Sequence, residues 1–271
     1  MNWRHECKLD WLKARQAHLT ATDIKDLLPV TKTGRKRTIG DLDYLKVLAR
    51  KTCALTEDDC ISTGAAARGH ILEPYAIAMF NEEYAPNWGV EPLYHWDDAL
   101  IASTFKVPMS LSYSPDAMSF PQDIEELKSL IDGENPVRLI PKGNTKIIGE
   151  VKSYYGEKHV ICGNTPKMEL EERWQIATAM VVDSSIENGY LIFYNPSMDM
   201  QMFVVEYSRS DLIDEMDTIR DIEKDWQDWL TNNFPIAGSI GTAVIMGDHN
   251  EEQRIIEQIQ REHKLDPIAT V

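Results

Sequence analysis

The sequence predicts a single elaborated α/β domain, on three observations. The chain has 271 residues with 43% hydrophobic content, enough for one sizeable core. Its apolar residues recur at helical spacing in some segments and at every second position in others. One run, Ile147-Ile148-Gly149-Glu150-Val151-Lys152-Ser153, stays apolar until it ends in a carboxylate and an ammonium two residues apart. As a strand, it places Glu150 and Lys152 on one face and Val151 on the other.

Composition sets further bounds. No apolar run approaches the roughly 20 residues that span a bilayer. The start, Met1-Asn2-Trp3-Arg4-His5-Glu6, lacks the apolar centre of a signal peptide, so the expected location is the cytoplasm. Cys7, Cys53, Cys60 and Cys162 show neither a C-x-x-C pair nor zinc-ligand spacing, and are expected to be reduced and mostly buried. The net charge of −16 argues against a nucleic-acid partner, but its distribution is uneven. Residues 1–70 carry 13 Lys+Arg against 9 Asp+Glu, a net of +4; the rest carries 15 against 35, a net of −20. A phosphate-binding surface would therefore draw on the N-terminal quarter.

In chain order, residues 8–17 read as a short helix with Leu9, Leu12 and Trp11 inward. Leu19-Thr20-Ala21-Thr22-Asp23-Ile24 follows, with capping residues before Ile24, Leu27 and Leu28 at helical spacing. Unpartnered N–H groups at such a helix start attract anions, and Arg15 lies one short connection upstream. Lys32-Thr33-Gly34-Arg35-Lys36-Arg37 is a basic loop, which in so acidic a chain points to a polyanion. Asp41 is expected to cap a helix through Leu42, Leu45 and Leu48.

Residues 62–84 read as a long helix with Ala67, Ile71, Tyr75 and Met79 on one face and a kink at Pro74. It carries Arg68-Gly69, His70 and Glu73, the last two able to share a side. Strands are expected at 90–96, 100–105 and 108–113. The last runs into Ser114-Pro115-Asp116, where proline ends the strand and leaves Asp116 at its end. An insertion at 121–146 separates this strand from the Glu150 strand, 34 residues beyond Asp116. Residues 166–183 read as a helix with Leu170, Trp174, Ala177 and Val181 as its seam and Gln175 at the flank. Strands at 188–194 and 200–207 follow, then an amphipathic helix over 208–233 and a last helix near 249–264. Residues 208–271 carry a net −8, which suits a structural or assembly role rather than a DNA groove.

Two carboxylates from neighbouring strands, Asp116 and Glu150, can converge on one hard divalent cation, with the Val151 carbonyl as a further oxygen ligand. Such a cation polarises a phosphodiester and lowers the pKa of a bound water, and Lys152 can position that water or offset charge developing on phosphorus.

These residues resemble the PD-(D/E)xK nuclease superfamily, with Pro115-Asp116 and Glu150-Val151-Lys152 as its signature. Within it the chain is most similar to the phage lambda exonuclease family, the viral-type alkaline recombination exonucleases. The resemblance covers roughly residues 11–205 and rests on five pieces. They are Trp11 to Arg15 with Leu19-Thr20-Ala21-Thr22, Arg68-Gly69 with Glu73, Ser114-Pro115-Asp116, Glu150-Val151-Lys152, and the Gln175 helix. It implies a restriction-endonuclease-like core, a central mixed β-sheet flanked by helices. It implies one nuclease domain over 1–271, with DNA-end-binding helices in 1–60, a hairpin insertion at 121–146 and a helical extension at 208–271.

The implied ligands of Mg²⁺, for which Mn²⁺ would substitute, are Asp116, Glu150 and Val151. Lys152 is the implied catalytic lysine, with Glu73 on the metal or water side and Gln175 assisting. Arg15, Thr22 and Ser114 correspond to a pocket for a 5′-phosphate, and Arg35, Lys36 and Arg37 are further DNA-binding candidates. The implied reaction is 5′-to-3′ resection of linear double-stranded DNA to mononucleotides and a 3′ overhang. The implied partners are a second and third copy in a ring, commonly a trimer, and a single-strand annealing recombinase in the host cytoplasm. Thr22 stands where the family often has Ser, and the 121–146 insertion is longer than the family's connection. A restriction-like endonuclease and a non-catalytic DNA-end-binding module share the fold. An iron–sulfur RecB-like nuclease does not suit a chain with no cysteine after Cys162.

Overall fold

The computed structural model describes residues 4–6, 9–30, 36–56, 59, 61–95, 99–102, 110–119, 138–139 and 146–233. The expected helix near 249–264, almost all of the 121–146 insertion and Arg35 lie outside the described residues. The N-terminal elements are β1 (Arg4–Glu6), α1 (Leu9–Gln16), α2 (Ala21–Asp26), α3 (Asp41–Thr52), β2 (Ile61–Thr63), α4 (Gly64–Met79) and α5 (Ala85–Trp88). Short strands follow: β3 (Tyr94–His95), β4 (Ala99–Ala102), β5 (Ser112–Tyr113), β6 (Ala117–Met118) and β7 (Arg138–Leu139). The last described part comprises β8 (Ile147–Lys152), α6 (Gly156–Asn164), α7 (Arg173–Val182), β9 (Asn188–Tyr194), β10 (Met202–Ser208) and α8 (Ile213–Asn233).

The main sheet is mixed and runs β10-β9-β8-β6-β3. β8 pairs parallel with β9, from Ile147–Asn188 to Lys152–Phe193, and the other pairs are antiparallel. A parallel pair needs a crossover, and α6 and α7 supply it. The alternation of a strand divides the core into two layers. Ile148, Met118, Leu191 and Phe193 pack with α2, α3, α7 and α8. Ile147, Val151, Ala117, Tyr190, Ile192 and Tyr194 pack with α4 and α5. Glu150 and Lys152 share the parity of Ile148, so they emerge into the first layer.

Gly149 allows the tight centre of this sheet. A Cβ there would lie 2.8 Å from Leu93 Cδ1 and 3.4 Å from Ala117 Cβ. β4 pairs with β5 and β7 in a separate three-stranded sheet. The link Ser114-Pro115-Asp116 therefore joins two sheets, and Asp116 directly precedes β6. Leu19 bridges to Leu111, with Leu19 N–H donating to the Ser110 carbonyl at 2.9 Å, so the N-terminal helices are fastened beside this link.

Several local expectations are corrected. Gly40, not Asp41, is the residue before α3; Asp43 reaches back to Gly40 N–H at 3.1 Å. Asp41 Oδ1 instead accepts from Trp229 Nε1 at 2.9 Å and so fastens α3 to α8. On α4 the buried residues are Ala67, Arg68, Ala76 and Ile77, whereas Tyr75 is 63% exposed. Ala76 and Ile77 pack in the same layer as Tyr190 and Ile192, which leaves Tyr75 on the outer side. The helix continues through Pro74 and widens to a π-turn at Phe80–Tyr84. The 166–183 segment divides at Leu170 into a single 3₁₀ turn, Lys167–Glu169, and α7. Helix α6 has no apolar stripe, since it buries His159 and Cys162 while Val160 and Ile161 face outward, so periodicity does not reveal it. No helix among the described residues is long and apolar enough to cross a membrane.

Candidate active site

The C-terminal half of β8 is where the chemistry gathers. Glu150 is 4% exposed and accepts three side-chain hydrogen bonds. Tyr113 OH donates to Oε2 at 2.7 Å, Gln175 Nε2 donates to Oε1 at 2.6 Å, and Lys152 Nζ pairs with the same Oε1. A buried carboxylate needs such partners, because leaving water unpaired costs several kcal/mol. The three donors come from β5, α7 and β8 itself, so Glu150 is the point where these elements meet. Asp116 approaches from the link before β6 and accepts from Val151 N–H through Oδ2 at 2.8 Å.

Charge crowding is strong here. Burial, then the Glu150 and Glu73 carboxylates, push Asp116 well above the usual carboxylate range, against the pull of Lys152 and the Val151 N–H. Burial would lower Lys152, but Glu150 and Asp116 outweigh it and raise the ammonium above its ordinary value. Burial, Glu150 and Asp116 together push the Tyr113 phenol well up, so it stays protonated as a donor. Glu73 lies on α4 between two histidines, 3.3 Å from His70 Nδ1 and 3.6 Å from His95 Nε2. Burial would raise Glu73, but hydrogen bonds and charge from His70 and His95 hold it down to about 2. It therefore stays ionised and acts on Asp116 as a fixed negative charge.

Of the residues singled out in the sequence, Asp116, Glu150, Val151, Lys152 and Gln175 are brought together by direct bonds, and Glu73 joins them through charge. Arg15 and Ser114 meet through Trp11: the Arg15 guanidinium lies 4.5 Å from the centre of the Trp11 ring, and Trp11 Nε1 donates to Ser114 Oγ at 3.3 Å. Thr22 is exposed on α2, within the Thr20–Asp23 capping box, and faces a cavity bounded by α2, α7 and the segment after β8. Arg37 is committed to the fold: Nε donates to the Leu28 carbonyl at 2.8 Å, NH2 to the Asp26 carbonyl, and NH1 pairs with Asp43 at 3.2 Å. Lys36 is exposed.

Arg68 has a role the sequence does not show. It is 5% exposed, donates to the Ser153 carbonyl and, at 3.2 Å, to Asn195 Oδ1, and lies 4.8 Å from the centre of the Tyr155 ring. It thus anchors the chain where β8 ends. Tyr113 and His95 are the side chains that sequence reasoning missed. Tyr113 stands directly before Ser114-Pro115-Asp116, and that adjacency is its one signal. His95 reaches Glu73 from β3, and nothing local marks it.

No family model matches the chain, and no curated protein matches it. Among solved structures it is similar to an alkaline exonuclease, LHK-Exo, from Laribacter hongkongensis. That likeness has 17% identity and a TM-score of 0.46, and covers 83% of this chain and 95% of that one. A second structure, LHK-Exo in complex with dAMP, is similar at 16% identity and a TM-score of 0.46, covering 83% of this chain and 97% of that one.

Proposed function

We propose that this protein is a Mg²⁺-dependent deoxyribonuclease that resects linear duplex DNA from its 5′ end. It releases mononucleotides and leaves a 3′ single-stranded overhang, and Mn²⁺ substitutes for Mg²⁺. The observation that carries the reading is the meeting of Asp116, Glu150, Lys152 and Gln175 at the end of β8.

The donor set suits a hard cation. Among the described residues no three His, Cys, Asp or Glu side chains form a cation cage by themselves. Mg²⁺ does not need one, since it takes one or two carboxylates and keeps several waters. A carboxylate has about four lone-pair sites, and Glu150 fills three of them, leaving capacity on Oε2. Asp116 uses Oδ2 for Val151 N–H and keeps further acceptor capacity. Asp116 and Glu150, with the Val151 carbonyl, would hold the ion. Bound there, it would supply Lewis acidity at the scissile phosphate and a more acidic attacking water.

The chain's own groups do the rest. Lys152 brings a fixed cation to the charge developing on phosphorus. Gln175 and Tyr113 hold the Glu150 carboxylate in one orientation. Glu73, kept ionised by its histidines, can orient a water by accepting its proton in a hydrogen bond. Arg15, Thr22 and Ser114 form the proposed 5′-phosphate pocket. Lys36 and the neighbouring basic residues extend a cationic N-terminal lining, which a trimeric ring would place inward against DNA, the acidic remainder facing outward. Within that reading the overhang passes to a single-strand annealing recombinase in the host cytoplasm during phage-type recombination.

The test offers a linear duplex with a 5′-phosphate and a covalently closed circle, each with Mg²⁺, to the wild type and to Lys152→Ala. Only the linear substrate should be consumed, and only by the wild type. Cutting of the circle, or an active Lys152→Ala, overturns the proposal. Solution mass on DNA tests the ring, and a stable monomer excludes it.

A further inference from the structure

Of the three carboxylates placed at the reaction centre, Glu73 alone is carried by a helix, and it needs an anchor outside that helix. Pro74 follows it and has no N–H to give the His70 carbonyl one turn back. The turn that presents Glu73 therefore lacks one of its own backbone bonds. His70 stands three residues earlier on α4, with Nδ1 3.3 Å from Glu73 Oε1. It moves with the helix, so it does not fix the carboxylate relative to the sheet.

His95 is the contact from outside. It is half-buried, and its Nε2 lies 3.6 Å from Glu73 Oε2. Its strand, β3, is two residues long and pairs with β6, Tyr94 with Met118 and His95 with Ala117. His95 therefore sits opposite the residue directly after Asp116. The entry to β3 is clamped by Asn81, in the π-turn that extends α4. Asn81 Nδ2 donates to the Leu93 carbonyl at 2.6 Å, and Leu93 N–H donates to Asn81 Oδ1 at 2.8 Å. The Leu93 side chain is buried in the same layer as Ala117, Ala76 and Ile77. So short a strand would be weakly placed by its pairing alone, and these contacts give His95 a fixed base. From it the imidazole meets Glu73 on one side while the strand pairs beside Asp116 on the other.

We propose that His95 is a positioning residue for the reaction: it ties the Glu73 carboxylate to the sheet beside Asp116, so that Glu73 keeps the attacking water at a fixed place relative to Asp116 and Glu150. This rests on the deoxyribonuclease reading above. It also separates the two histidines, since His95 sets the position of Glu73 against the sheet and His70 does not.

The test measures kcat and KM on a linear 5′-phosphorylated duplex at saturating Mg²⁺, with the urea unfolding midpoint of every protein. The proteins are the wild type, His95→Ala, His95→Gln, His70→Ala, Glu73→Asp and the double variant of His95→Ala with Glu73→Asp. In His95→Gln the amide nitrogen takes roughly the place of the imidazole Nε2. Glu73→Asp keeps the charge but is one methylene shorter and breaks the contact. In His95→Ala, kcat should fall at least about tenfold with KM within about twofold, and His95→Gln should recover most of the loss. His70→Ala should lose less. Because His95 acts through Glu73, His95→Ala should cost little further activity once Glu73→Asp is present. His95→Asn, whose amide stops short of Glu73, replaces His95→Ala if that variant does not keep the wild-type midpoint. Losses that multiply in the double variant, wild-type kcat in His95→Ala, no recovery in His95→Gln, or an equal loss in His70→Ala each overturn the proposal and leave the nuclease reading standing. Wild-type protein that does not cleave the duplex overturns the nuclease reading and this inference together.

Discussion

Val151 N–H donates to Asp116 Oδ2 at 2.8 Å, and this bond ties the link between the two sheets to the central strand β8. It places a partly buried carboxylate next to Glu150 on a rigid backbone. In the proposed function Asp116 would hold the cation as well as this bond, and the two roles can be separated by substitution.

Asp116→Asn keeps an oxygen for Val151 N–H and removes the charge that Glu150 and Glu73 oppose. Its stability in metal-free buffer should equal or exceed the wild type, while Mg²⁺-dependent cleavage falls at least about a hundredfold. Asp116→Ala loses the acceptor as well and should be destabilised by about 1–3 kcal/mol. Urea unfolding and a nuclease assay on the same preparations check both.

Tyr113→Phe removes one of the three donors to Glu150 and leaves Lys152 and Gln175 in place. A less firmly oriented carboxylate should bind the cation more weakly, by about 10- to 100-fold as for outer-shell partners of metal ligands. The Mg²⁺ concentration for half-maximal cleavage should rise accordingly, with maximal rate less affected. An unchanged Mg²⁺ requirement would remove Tyr113 from the site.

Gly189 sits where α7 crosses β9, and a Cβ there would overlap Ile176 Cγ2. That methyl is attached at the branch of the side chain and cannot swing away, so Gly189→Ala should cost about 1–3 kcal/mol. Ile176 adjoins Gln175, so cleavage should fall with stability. The second change Ile176→Ala should recover part of both, as a double-mutant unfolding cycle would show.

His18 is fully buried, and burial, then the Lys51 charge, hold its pKa down to about 4, against a hydrogen bond that the ring donates to the Ser110 backbone carbonyl. The unfolded chain takes up this proton near its ordinary value of 6.5, and the native chain only near 4. Stability from this residue is therefore complete above pH 6.5 and is lost as pH falls to 4, by about 3 kcal/mol. Chemical denaturation across that window should show the loss in the wild type and a shallower slope in His18→Leu.

The sequence by itself determined the α/β class, the strand ending in Glu150-Val151-Lys152, the helix carrying Gln175 and the position of Asp116 just past the end of a strand. Each of these depends on local order: period two or 3.6, a proline that ends a strand, or two charges on one side of a pleat. Tertiary structure decided the rest. Trp11 reaches Ser114 across 103 residues, and His95 joins His70 on Glu73 from a two-residue strand. Arg68 turns inward to hold the end of β8, and Lys25 is left half-buried in a cavity walled by α2, the start of α7 and the segment after β8. Such contacts arise where sheet and helices pack, and the energy of burying a charge depends on neighbours distant in the chain. Local spacing reports which side chains share a face, and packing alone decides what that face meets.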